Sequence, residues 1–161
     1  MSVLPGPTRR LLLQWIAGMT TGAAALPLLT RAAGKRTAVE VWKDPSCGCC
    51  NDWIAHMREH DFDVTAHDVG GNAVRARLGL PRRYASCHTA LVEGYVVEGH
   101  VAAAEVRRLL HERPDALGLA VPGMPVGSPG MDGPVYGGRQ DTYETLLVLR
   151  DGRSRVFQKH G

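Results

Sequence analysis

Beyond residue 32 the chain has no apolar run long enough to cross a bilayer, no excess of charge of either sign and no internal repeat. The first absence excludes a membrane span in that part of the chain, because a spanning helix needs about 20 apolar residues. The second bears on partners. Of 19 Lys and Arg, only Arg9, Arg10 and Arg31 fall in the first 32 residues, which hold no Asp or Glu, and the remainder carries sixteen of each sign. A formally neutral domain gives no electrostatic case for nucleic acid. The length fits one domain, and a composition 44% hydrophobic and 22% charged supplies one core. Cysteine is scarce as well, with four in 161 residues, yet three of them crowd into "DPSCGCCNDW" as Cys47, Cys49 and Cys50. A disulfide scaffold spreads its cysteines to close long loops, and a bond between the neighbours Cys49 and Cys50 is strained. The crowding therefore speaks against a plain scaffold and for a reactive or metal-binding centre.

The first 32 residues read as an export signal. A basic start at Arg9 and Arg10, a diluted apolar middle and the small residues of Thr30-Arg31-Ala32 set up cleavage after Ala32. Thr8, the two arginines and Leu11 to Leu13 resemble a twin-arginine signal. The expected organisation is a twin-arginine-like signal peptide over 1–32 and a single domain over 33–161, periplasmic in a bacterium, where unprotected thiols tend to pair.

Along the domain, "TAVEVWK" reads as a strand, "CNDWIAHMREH" as a helix burying Trp53, Ile54 and Met57, and "FDVTAHDV" as a half-buried strand. "NAVRARLGL" is a short helix stopped by Gly79 and Pro81. "HTALVEGYVVEG" is a hairpin through Glu93-Gly94, and "VAAAEVRRLLHER" is an amphipathic helix. After Leu119 a long Gly/Pro-rich loop holds Met124 and Met131, and "TLLVLRDGRSRVF" closes the chain as a second hairpin. The order β-α-β-(α)-β-β-α, with C-x-x-C at the first strand–helix junction, is that of a thioredoxin-like domain. The expected fold is α/β: a mixed sheet flanked by helices, with a C-terminal Gly/Pro/Met loop and an extra hairpin.

A helix N-terminus favours negative charge and lowers the pKa of a thiol placed there. Cys47 and Cys50 form the C-x-x-C pair, with Cys47 the expected attacking thiol. Cys49 is a third thiol that a pure disulfide exchanger does not need, and a soft metal ion would hold all three. In the thioredoxin-like order "YASCHT" enters the third strand beside the C-x-x-C, which brings Cys87 and His88 to the cluster, Cys87 as a resolving partner. Thioethers also suit soft metal ions, so from its length and its two methionines the loop from Val121 to Gly133 is expected to fold over the cluster with Met124 nearer than Met131. His56 and His60 read as a wet helix face, His67 and His111 as surface residues, His100 as a cap or a solvent-facing residue, and Trp42 and Trp53 as core that flanks the cluster.

"VWKDPSCGCCNDW", "YASCHTALVEGYVVEGHV" and "GLAVPGMPVGSPGMDG" resemble the CxCC proteins of the CopG type over about residues 37 to 160. These are periplasmic thioredoxin-like proteins linked to bacterial copper tolerance. The resemblance implies Cu(I) as the bound metal, a redox role toward copper and periplasmic copper-handling or redox proteins as partners. Carried onto this chain it points to Cys47, Cys49, Cys50 and Cys87 as metal ligands, with His88 and Met124 beside them, and to Cys47, Cys50 and Cys87 as the redox thiols of a copper-linked thiol oxidoreductase. Three other functions remain open on the sequence: a passive copper chaperone or store, a general thiol-disulfide oxidoreductase, and an iron–sulfur domain.

Overall fold

A computed structural model describes residues 36–161; the expected signal segment, 1–32, lies outside the described residues. Alternating apolar residues in Thr37–Lys43 (β1) send Val39 and Val41 to one face, and the parallel strand Phe62–His67 (β2) lies beside it. The helix Gly48–Glu59 (α1) joins the two as a crossover. A short helix, Asn72–Arg77 (α2), and a 3₁₀ turn, Arg82–Tyr84, lead to His88–Val92 (β3), which pairs antiparallel with β1. Glu93 and Gly94, both at positive φ (46° and 86°), make the tight hairpin turn into Tyr95–Glu98 (β4). Ala103–Glu112 (α3) follows.

The sheet then continues further than the sequence order implied. Gly118–Ala120 (β5) runs parallel to β4 and antiparallel to Tyr143–Val148 (β6), which pairs with Ser154–His160 (β7). The result is one seven-stranded mixed sheet in the order β2-β1-β3-β4-β5-β6-β7. The thioredoxin-like order and the extra hairpin are both present, and the three-residue strand β5 splices one onto the other.

Successive residues of a strand serve opposite faces, so Val97, Leu119 and Leu147 meet α1 and α3 in the larger core with Trp53, Met57, Val106 and Leu109. Their neighbours Val96, Ala120 and Val148 meet Leu80 and Tyr84 in a smaller core on the other face. Each such large apolar side chain contributes roughly 1.5–3 kcal/mol on burial. The outermost strands are capped by arginines from the helices: Arg58 of α1 donates to the Val64 carbonyl of β2 (2.9 Å), and Arg108 of α3 donates to the Phe157 carbonyl of β7 while lying over its ring (3.6 Å).

Candidate metal and thiol site

The site begins where β1 runs out. Asp44 accepts hydrogen bonds from the Ser46 amide and hydroxyl, which hold its carboxyl below the usual carboxylate range, and the Cys47 amide donates to the Asp44 carbonyl (3.1 Å). This turn delivers Cys47 to the N-cap of α1 in extended geometry, with no side chain satisfying the cap. The first turn of α1, without a side-chain cap, therefore favours negative charge at the sulfurs placed there. Cys50 is fully buried, while Cys47 and Cys49 are half-exposed.

The Sγ atoms of Cys47, Cys49, Cys50 and Cys87 all lie within 4.8 Å of one another. Cys47 and Cys50 are joined as a disulfide, with Cα atoms 5.4 Å apart, and Cys49 and Cys87 are free thiols. Cys49 Sγ stands 3.5 Å from Cys47 Sγ and 4.0 Å from Met124 Sδ, and Met124 is half exposed at the mouth of the cluster. Met131 sits elsewhere in the loop, where its sulfur accepts the Tyr136 hydroxyl at 3.2 Å.

Cys87 also belongs to a second set. His88 Nδ1 is 3.3 Å and His100 Nε2 is 3.0 Å from its Sγ, and Cys87, His88 and His100 form a group that could hold a metal ion. His100 Nδ1 donates to the Pro129 carbonyl at 2.7 Å, which fixes the tautomer and turns the Nε2 lone pair toward Cys87. His88 lies against the Trp53 ring (4.3 Å between centroids), and its Nε2 is buried without a partner. Burial lowers the pKa of both imidazoles, so both are neutral at neutral pH, the form that ligates. Burial first, and Cys49 second, push the Cys87 thiol up to about 12. The thiolate character expected of Cys47 has no place in this state, because Cys47 is in the disulfide.

The loop closes the site from above. Gly130, at φ +87°, packs so closely on α1 that a Cβ there would stand 2.6 Å from the Cys49 carbonyl and 2.8 Å from the Trp53 amide. The loop therefore lies over the first turn of α1, with Met124 against Cys49.

His100 is a correction to the sequence reading: it is fully buried against Cys87 rather than capping a helix or facing solvent. Its signal was in the hairpin. Counting outward from Glu93-Gly94 sets Thr89 opposite Glu98, as the register has it, and two steps further sets Cys87 opposite His100. His56 also departs from a wet helix face. It is half-buried, and its Nε2 accepts the Ala103 amide (3.1 Å) at the start of α3. His67 pairs with Glu40 at the surface (2.9 Å).

The chain is similar to known proteins. The family described as "Protein of unknown function, DUF411" matches residues 84–131, from the turn before Cys87 through the Gly/Pro loop. Two solved structures titled "Copper resistance protein copG", Form 2 and Form 1, are each 46% identical over 78% of this chain. The match covers 99% and 98% of theirs, with TM-scores of 0.72 and 0.70. Comparison with curated proteins gives no match.

Proposed function

This chain belongs to the CopG copper resistance family, and on that premise we propose that its thiol cluster binds Cu(I) and couples thiol–disulfide chemistry to the redox state of copper. Copper is the cargo and the substrate. The observation that carries the reading is the convergence of four sulfurs within 4.8 Å, two of them paired and two free, beside two neutral imidazoles. Soft thiolates favour Cu(I), while imidazole also suits Cu(II). A site holding both donor types can keep copper through a one-electron change.

The thiols of Cys47 and Cys50 give two electrons and two protons and form one disulfide. Two Cu(II) ions take the electrons and become Cu(I). Cys49 and Cys87, not oxidised in this step, release their protons to solvent as their sulfurs bind copper, with His88, His100 and Met124 around them. The disulfide between Cys47 and Cys50, with Cys49 and Cys87 free, supports this division of labour. In this reading Cys47 and Cys50 supply the electrons and close the disulfide, and Cys87 serves as ligand; in thiol–disulfide exchange Cys47 is the attacking thiol and Cys87 the resolving one. The domain over 33–161 works in the periplasm after export by the signal in 1–32, and passes copper or electrons to other periplasmic proteins.

The test is to mix reduced, metal-free protein with Cu(II) in the absence of oxygen, following Cu(II) by its paramagnetic signal and thiols by alkylation. Loss of the signal in step with loss of two thiols per two copper ions is expected. Persistent Cu(II) with all four thiols intact would leave a passive store that receives Cu(I) from an outside reductant.

A further inference from the structure

Glu98 ends β4 as a carboxylate with no solvent exposure, and the thiol chemistry above makes no use of it. Its Oε1 accepts from Arg75 Nε (2.8 Å) and from the Ser86 amide (2.6 Å), and its Oε2 accepts from the Thr89 hydroxyl (2.7 Å). Arg75, itself 6% exposed, also donates to the Ser86 carbonyl (2.9 Å) and to Asn72 (2.6 Å). Both backbone polar groups of Ser86, the residue before Cys87, therefore end on one buried ion pair.

The backbone of the same residue helps to tie down one further segment, Val121 to Gly123. The Glu98 carbonyl accepts the Val121 amide (3.0 Å), the Ser86 hydroxyl donates to the Gly123 carbonyl, and the Gly123 amide donates to Ala85 (3.3 Å). Gly99, at φ +70°, brings the segments to backbone contact, since a Cβ there would stand 2.5 Å from Ser86 Oγ and from the Val121 carbonyl. Three stretches that bear donor side chains, ending in Cys87-His88, His100 and Met124, thus converge on Glu98.

Stability alone is a poor reason for such a pair. Burying two charges costs solvation, and apolar side chains of similar volume are often as stabilising. What a fully bonded carboxylate adds is a fixed geometry for the groups it holds. We propose that Glu98, acting through Arg75 and Ser86, is the positioning residue that sets Cys87 against Cys49; this rests on the reading that the four thiols work as one cluster.

The test needs no copper. With Cys47→Ser and Cys50→Ser as the parent, only Cys49 and Cys87 remain, and equilibration with oxidised glutathione converts the two thiols to a disulfide as two glutathione thiols are released. The equilibrium constant reads the effective concentration of one thiol at the other. On that parent, Glu98→Gln keeps an oxygen for Ser86 and Arg75 and stays within about twofold, Thr89→Val frees Oε2 and lowers the constant about threefold, and the paired change Arg75→Met with Glu98→Leu lowers it about tenfold or more while melting cooperatively. A folded Thr89→Val or paired variant that matches the parent overturns the positioning role, since simple destabilisation moves the melting temperature and not this constant. Should the paired variant fail to fold, the near-isosteric Thr89→Val decides. A parent in which Cys49 and Cys87 form no disulfide at all overturns the proposal together with the shared-cluster reading, and so is told apart from failure of the clamp.

Discussion

A thiol held up to about 12, as burial and Cys49 hold Cys87, ionises at neutral pH only when a cation takes the place of its proton. Loading the reduced protein with Cu(I) at pH 7 should therefore release about one proton per coordinating thiol, and Cys87→Ser should release about one fewer. A pH indicator in weak buffer measures this; equal release from both proteins would take Cys87 out of the ligand set. Met124, 4.0 Å from Cys49 and half exposed, is a peripheral donor in the proposed site. Met124→Leu, close in volume, should weaken Cu(I) binding by about three- to tenfold, roughly 1 kcal/mol, in anaerobic competition with a chelator. Gly130→Ala should cost more, because the new Cβ meets backbone in a left-handed conformation. Strain of about 1–3 kcal/mol should appear as a lower melting temperature together with weaker Cu(I) binding. That the four cysteines and Met124 come together could be read from residue type, spacing and, for Cys87, the order of elements. His100 could not be read from its own neighbourhood, Gly99 and Val101, and became legible only through the register of the hairpin that carries it.

Elements impose their own chemistry on the residues they deliver. The junction of α1 with α3 depends on His56, whose Nε2 must be unprotonated to accept the Ala103 amide. Burial, and then the neighbouring His60, lower its pKa from 6.5, against weaker opposition from Asp132 and Glu59. Protonation would also set a positive charge at the positive end of α3. The sign follows from linkage. Between the lowered folded pKa and 6.5 the unfolded chain binds more protons, so this contribution is complete above 6.5 and is lost as pH falls through the folded pKa. His88 and His100, lowered by burial, act in the same direction. Metal-free reduced protein should thus unfold at lower urea concentration at pH 5.5 than at pH 7.5, and His56→Gln should narrow the difference; a midpoint indifferent to pH would refute this account. Element types were mostly legible, because Trp53, Ile54 and Met57 keep helical spacing and β1 and β2 alternate. The strand β5 was not. Three residues, Gly118, Leu119 and Ala120, are too few to show a period, and only pairing with β4 and β6 makes them a strand.

For the molecule as a whole, the proposed division at residue 32 bears on where the cluster would meet copper. The paired arginines of the proposed signal predict that replacing Arg9 and Arg10 by Lys leaves the protein in the cytoplasm. They also predict that the exported chain begins at Ala33, as N-terminal sequencing of a periplasmic extract would show; an exported chain still carrying Arg9 would remove the signal reading. The thioredoxin-like half was legible because its order of elements is fixed by local patterns, whereas the seven-stranded sheet depends on long-range pairing that no local pattern reports. That wider sheet has two rims, and Arg58 and Arg108 each occupy a carbonyl there with a guanidinium. A rim with one acceptor taken and a cation lying across it is a poorer template for another strand. As copies accumulate, collisions between them offer little to grow on, so abundance can rise without the molecules zipping into polymers.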